Sequence, residues 1–384
     1  MEIVRLCADD YDEWLNVLNT TFGKQNNRDT NFEKSLPKMC IRDDYHMGMH
    51  FGVKDNGKLC ALLGVYPLRL KIGGEDLLFA TVGNVATLPE YEGRGYMKAL
   101  MGEAMEELKR IGADVSRLGG VRHRYNRYGY EMSGTVYNFM VDTATNNFRF
   151  NGEELDFKEI TLESNCELEF INKLRKSKAF YVERSFGDTY QGDYLTLKAW
   201  ESAPYIAIDK NGEMKGYLSV SPDKTSIRDV YAVDFESLKA IIFNWQKGQD
   251  KAVEFTFMPS DYEEIKYFTA IAETVNITSP SHYKVINFDK IANALIKLKL
   301  SYTPNIPDGE SILGIEGWGN LKISVNDGMG VCEKTNETPH IVLDNLSATR
   351  FLFGPFPPET VTATDKFLSS VLPLPLSWNT LDRV

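Results

Sequence analysis

Two stretches of this chain share one design, and that repetition limits the fold more than any other feature. FGVKDNGKLCALLGVYP (51–67) and IAIDKNGEMKGYLSVSP (206–222) each contain an apolar strand, an Asn-Gly pair, a second strand and a closing proline. Asn-Gly between alternating apolar runs predicts a β-hairpin, because a type I′ turn needs positive φ at both central residues. A hairpin that recurs in one chain predicts two copies of one fold. At 384 residues the chain also exceeds what one core encloses, so two or three domains are expected.

The two copies diverge after the hairpin. The first continues with a strand, LLFATVGNVATL (77–88), then a loop containing glycines, then a helix. Met97, Leu100, Met101, Ala104, Met105, Leu108 and Ile111 share one face of that helix, and Gly112 ends it. VSRLGG (115–120) reads as another strand, followed by a short helical or looped segment, VRHRYNRYGYEM. The second copy runs from IRDVYAV (227–233) through a short acidic turn directly into the helix DFESLKAIIFNW, with no glycines. Beyond HYKVINFDKIANALIKLKL (282–300) the pattern changes to strands at 311–318, 320–326 and 329–334, with Asn326-Asp327-Gly328 turning the last pair. Helices are expected around 346–353 and 358–371, before an apolar tail, LPLPLSWNTLDRV. This last part reads as a third, α+β domain.

Bulk properties exclude several classes. The start, MEIVRLCADDYDEW, carries acids where a signal peptide has basic and apolar segments, and no apolar run approaches the roughly 18 residues of a membrane span. A cytoplasmic protein with no membrane partner is expected. Five scattered cysteines without any CxxC predict buried free thiols rather than disulfides or a zinc site. A net charge of −11 argues against nucleic acid and permits an amine ligand. His46 and His50 lie four apart near Asp43 and Asp44, but this segment runs straight into the strand FGVKD, so no metal is expected.

LPEYEGRGYMKAL (88–100) carries the chemistry. A helix N-terminus leaves its first N–H groups unpaired and bears about half a positive charge, so a glycine turn there makes an anion cradle. Gly93 and Gly95 let the backbone approach an anion, and Arg94 adds a charge-assisted contact. An empty strand-to-helix turn fits the same spacing. The GK[ST] of a nucleotide phosphate loop and the GxGxxG of a dinucleotide fold are both missing, which leaves a coenzyme with a diphosphate but no nicotinamide.

The loop resembles the coenzyme A loop of GCN5-related N-acetyltransferases (GNAT), Q/R-x-x-G-x-G/A, with a Y-x-x-x-G-F element downstream. The corresponding residues are Glu92-Gly93-Arg94-Gly95-Tyr96-Met97 and Tyr125-Asn126-Arg127-Tyr128-Gly129-Tyr130. Glu92 and Met97 depart from the pattern; Glu92 must point away from a bound pyrophosphate. The whole chain resembles the Eis-like (enhanced intracellular survival) acetyltransferases. That resemblance implies a mixed α/β and α+β architecture: a catalytic GNAT domain over 1–145, a degenerate second GNAT domain over 146–283, and a sterol-carrier-protein-like domain over 284–384.

It implies acetyl-CoA as cosubstrate, held by backbone groups of Val85, Ala86 and Thr87 and by Gly93, Arg94, Gly95, Tyr96 and Met97, with no metal. Tyr125 inherits the role of general acid, while Tyr128 and Tyr130 pack. Val384 brings a terminal carboxylate into the first domain's site; a tail docked only for stability is the other reading. The expected reaction is direct attack by a primary amine of a cationic acceptor, aminoglycoside-like, polyamine-like or lysine, in a ternary complex. The resemblance further implies a homo-oligomer, often hexameric. The alternative is a lipid or coenzyme A binding module without turnover.

Overall fold

A computed structural model describes residues 2–27, 29–184 and 191–384. Three sheets organise them. The first runs in the order Glu2–Arg5, His50–Asp55, Lys58–Ile72, Glu75–Thr87, Val115–Leu118, Ser281–Val285, Glu131–Ser133, with Phe180–Val182 paired to the far end of Lys58–Ile72. Its central step, Glu75–Thr87 against Val115–Leu118, is parallel. The crossover is the helix Tyr96–Arg110, which buries Leu100, Met101, Ala104 and Leu108 against the sheet, as the periodicity predicts. Gly112, at φ 68°, follows its end.

The second sheet repeats this plan. Ala203–Ile208, Met214–Val220 and Ser226–Ala232 are antiparallel neighbours, and the helix Phe235–Gln249 leads to a parallel partner, Val253–Phe257. Its hairpin turn departs from the sequence expectation. In the first copy Asn56 and Gly57 both take positive φ (52° and 80°), as a type I′ turn requires. In the second only Gly212 of the pair does, at 83°. There the Asp209 carboxylate accepts the N–H groups of Asn211 and Glu213, both at 2.9 Å, and this local bonding outcompetes the two-residue turn.

The sheets do not follow linear cuts of the chain. Val136–Val141 crosses into the second sheet, pairing with Val253–Phe257 and Thr274–Thr278. Ser281–Val285 returns to the first, between Val115–Leu118 and Glu131–Ser133. Each sheet thus holds a strand from the other's stretch of sequence, which locks the two together.

A third sheet, Met329–Thr335, Gly319–Asn326, Gly309–Ile315 and Ile341–Leu343, packs on the helix Phe288–Tyr302. That helix shares one core with Phe79 and Val115 of the first sheet and Leu321 and Ile323 of the third. The expected helix at 358–371 is confined to Lys366–Val371, capped by Asp365, with a single 3-10 turn at Pro358–Thr360. The Thr/Val-rich stretch 360–364 between the two disfavours a continuous helix. All five cysteines are free, but Cys7 and Cys166 are exposed rather than buried. Among the described residues, no helix is long and apolar enough to cross a membrane.

The tail is buried along most of its length. Leu374, Leu376, Trp378 and Leu381 are covered, and Trp378 stacks on Phe79 at 5.4 Å. Polar anchors fix its path. Arg184 grips Asp382 at 2.8 and 3.0 Å, Asn379 bonds Asp229 at 2.9 Å, and Lys38 donates to the Leu381 carbonyl at 2.6 Å.

Burial lowers the Lys38 pKa from 10.5 to about 7, with Asp382 only partly offsetting the cost. The sign of the linkage follows. Between about 7 and the unfolded value of about 10.4, the unfolded chain binds a proton that the folded chain does not, so stability rises with pH across that window. Below 7 both states are protonated and the penalty is complete. Lys38→Met should therefore flatten the increase in unfolding free energy between pH 7 and 10, measured by urea titration against the parent.

Candidate active site

The site grows from a fault in strand pairing. Glu75–Thr87 pairs with Val115–Leu118 only as far as Val82↔Leu118; its last residues, Gly83 to Thr87, continue without that partner. On the other side its register with Lys58–Ile72 slips between Leu62 and Gly64, where Asn84 bulges out at φ 53°. A buried file of hydrogen bonds holds the bulge. The Asn84 amide donates to the Tyr66 hydroxyl (2.8 Å), which lies 2.9 Å from His50 Nε2, and His50 Nδ1 lies 3.2 Å from the Met47 carbonyl. Burial lowers the His50 pKa to about 4, so the ring is neutral at pH 7 and can accept from Tyr66. His46 instead faces Asp43, at 2.8 Å.

The parting strands open a groove of about 610 Å³ that leads to the start of the helix Tyr96–Arg110. Gly93 and Gly95 occupy left-handed backbone (φ 78° and 82°), and a Cβ on either would meet nothing within 4 Å. These positions therefore need glycine for backbone conformation rather than for space. No side chain among the described residues caps the helix, and its first turn holds no acid. The first intrahelical bond runs from Ala99 N–H to the Gly95 carbonyl, at 3.1 Å, so the preceding N–H groups have no partner in the helix.

Of the residues expected at the carrier site, Val85, Thr87, Gly93, Gly95, Tyr96 and Met97 line the groove. Ala86 points into the core, and the Thr87 carbonyl accepts from Thr21 at 3.2 Å. Arg94 does not line the groove: it pairs with Asp55 at 3.3 Å, donates to the Glu90 carbonyl and lies over the Tyr91 ring. Glu92 lines it as well. The groove's cations are Lys98, Arg124 and Arg127, which the motif match did not single out. Arg124 and Arg127 stand within and beside the Tyr125 element; the cluster RHRYNR around that tyrosine was the available signal.

Arg124 and Val85 also line a second, inner cavity of about 270 Å³ together with Tyr125, Asn84 and Val384. Tyr125 is 4% exposed, and burial raises its pKa against the opposing effect of Arg124. Gly120 makes room for its ring, since a Cβ there would sit 2.7 Å from Cε2. Tyr130 packs in the core and hydrogen-bonds Ser116 at 2.7 Å. Trp200, from the second sheet's side of the chain, completes the wall in a left-handed conformation (φ 60°, ψ 33°). Among the described residues no Asp or Glu lines this inner cavity, so the overall acidity of the chain does not extend to it.

Residues 2–133 match the acetyltransferase (GNAT) domain family. No curated protein sequence matches the chain. Among solved structures, a GCN5-related N-acetyltransferase from Anabaena variabilis superimposes with a TM-score of 0.69 at 16% identity, over 98% of this chain and 98% of its own. A GCN5-related N-acetyltransferase from Kribbella flavida gives 0.65 at 17% identity, over 98% of each chain. Eis1 from Mycobacterium abscessus gives 0.65 at 14%, over 99% of this chain and 98% of its own. At these identities the likeness is one of fold, and it spans nearly the whole chain.

Gly83 faces Val384 directly: a Cβ there would lie 2.9 Å from Val384 Cγ2. Gly83→Val should push the chain end out of the inner cavity, and a carboxypeptidase should then release Val384 faster under native conditions. An unchanged release rate would show that Gly83 does not set the position of the tail.

Proposed function

We propose that this protein, an N-acetyltransferase by virtue of the acetyltransferase domain over residues 2–133, moves the acetyl group of acetyl-CoA directly to a primary amine. One observation carries this reading: a groove with an uncapped helix start at one end opens, past Val85 and Arg124, into a pocket holding Tyr125 and Val384. The free helix N–H groups with Lys98, Arg124 and Arg127 suit a diphosphate. The unpaired edge at Val85 suits an extended, amide-rich arm and can polarise a thioester carbonyl.

In this reading the substrate's ammonium gives a proton to the α-carboxylate of Val384, and the neutral amine attacks the carbonyl carbon, its second proton later replacing the one that Tyr125 donates. The C–S bond then breaks, and the Tyr125 hydroxyl protonates the leaving thiolate. The raised pKa keeps Tyr125 protonated at neutral pH, as a general acid must be. A single carrier site per chain is proposed, because the second copy's helix starts with Asp234 capping Ser237 N–H at 2.7 Å and Glu236 in its first turn. Carboxylates there occupy and repel what an anion would need. We assign the second sheet to a degenerate GNAT copy and the third to a sterol-carrier-protein-like domain, both on their order of elements. The interior of the third unit is filled by Leu295, Phe351 and Leu352 among others, which favours support over lipid carriage.

Thiol release from acetyl-CoA against a panel of primary amines tests the activity. On the best amine, Tyr125→Phe should lower kcat by about 10²–10⁴-fold with the KM for acetyl-CoA unchanged. A variant as fast as the parent would move the acid elsewhere.

Val384 is tested separately. Adding a few residues after it displaces the carboxylate while keeping every native side chain, and turnover should fall strongly. Parental turnover in the extended protein would make the tail a structural staple.

A further inference from the structure

Beside the Tyr125 pocket lies a larger cavity of about 600 Å³, sharing Gly119, Gly120, Trp200 and Val384 with it. Three arginines line it, each from a different part of the chain: Arg117 on Val115–Leu118, Arg228 on Ser226–Ala232, and Arg383 on the tail. His282 joins them, and no side-chain carboxylate among the described residues does.

Arg117 is the most telling of these. It is 2% exposed, lies over the Trp378 ring at 5.5 Å, and finds no hydrogen-bond acceptor for Nε or Nη1 among the described residues. Arg383 Nε is likewise buried and unpartnered among the described residues. Arg184, equally buried, shows how this chain neutralises a guanidinium: it holds Asp382 and Asp229. A buried cation without such a partner is expensive to keep, and it is kept at the wall of a cavity large enough for a ligand. Burial lowers the Arg117 pKa to about 10, which leaves it charged at neutral pH.

The other groups facing the cavity do not remove the excess. Arg228 commits Nη1 to the Trp200 carbonyl at 2.6 Å and to Ser202 at 2.9 Å, holding Trp200 in its left-handed conformation at the boundary between the two cavities. Asp382 attracts Arg117 without forming an ion pair and is held by Arg184, while the α-carboxylate of Val384 lines the cavity. No ion pair joins it to Arg117 or Arg383 among the described residues, and one carboxylate cannot balance three arginines. Gly119 and Gly120 present no side chains along the shared wall, so a molecule can lie in both cavities at once.

We propose that the arginine-lined cavity receives an oxyanion of the acceptor, which makes the substrate an amine that also bears a carboxylate or phosphate. The inference rests on the acetyl-transfer reading and deepens it. The amine sits by Tyr125 and Val384; the oxyanion lies across the glycine wall, against the forks of Arg117 and Arg383. It replaces the purely cationic acceptor that the family resemblance implied.

Thiol release from acetyl-CoA is compared for 6-aminohexanoate, its amide, 1,5-diaminopentane and phosphoethanolamine. The two anionic amines separate a carboxylate from a phosphate requirement, and at least one should exceed the amide and the diamine about tenfold or more in kcat/KM. Arg117→Gln should raise the KM for that amine about ten- to hundredfold, as expected for lost bonds to a charged group, and leave the KM for acetyl-CoA unchanged. Arg383→Gln, at a less buried position, should shift KM in the same direction and serves if Arg117→Gln fails to fold. Hexanoate, which has no amine, gives a readout independent of turnover: it should raise the parent's melting temperature and not that of the variants. Equal use of amide, diamine and acids, with no effect of hexanoate, would overturn the oxyanion site and leave acetyl transfer standing. Hexanoate binding that the variants lose, with no thiol release from any amine, would overturn the transfer reading and the acceptor role with it.

Discussion

The buried file from Asn84 through Tyr66 to His50 bends the strand that carries the site. Without it, Glu75–Thr87 has no reason to leave register with Lys58–Ile72 at Gly64. Its separation from Val115–Leu118 beyond Val82 would then have no rigid backing. Each member of the file is satisfied in sequence, an amide donating to a hydroxyl and the hydroxyl meeting a neutral imidazole, which is how a polar bulge survives inside an apolar sheet. Both cavities follow from it. One side of the opened strand faces the helix start, and the other faces Tyr125 and the chain end.

A second constraint brings the rest of the chain to that opening. Val136–Val141 and Ser281–Val285 exchange sheets, so the two halves cannot separate without breaking ladders in both. The tail crosses them and is pinned by Lys38 from one half and Arg184 and Asp229 from the other. The pocket wall is consequently composite, with Tyr125, Trp200 and Val384 far apart in sequence. Its electrostatics are local too. A net charge of −11 is summed over the whole molecule, whereas exposed charges farther than about 10 Å are largely screened at ordinary salt. The charged side chains that line the inner cavity and its larger neighbour are arginines, with His282 beside them, so the global sign does not describe the site.

Elements set by short-range chemistry were legible. The Asn56-Gly57 hairpin, the apolar face of Tyr96–Arg110 and the glycines before it each depend on neighbours within a turn or two. Failures arose where a competing group intervened. Asp209 capped its own turn and displaced the type I′ geometry expected of Asn211-Gly212. Asp55, on the adjoining hairpin, drew Arg94 out of the groove where the motif had put it. Arg124 and Arg127 went unassigned because their part in the groove depends on how a separate short helix folds beside the glycine loop.

From its sequence alone this protein's repeated hairpin, its glycine-lined helix start and the need of the apolar tail for cover were determined, since hydrophobic period and backbone conformation act over a few residues, whereas Tyr125 was singled out only by a motif resemblance. Only the tertiary structure decided that two strands change sheets, that Asn84 splits the first sheet, that Val384 and Tyr125 line one cavity, and that Arg117 is buried with no ion-pair partner among the described residues. Those outcomes depend on which distant groups share a low-dielectric interior, and sequence separation carries no information about that distance.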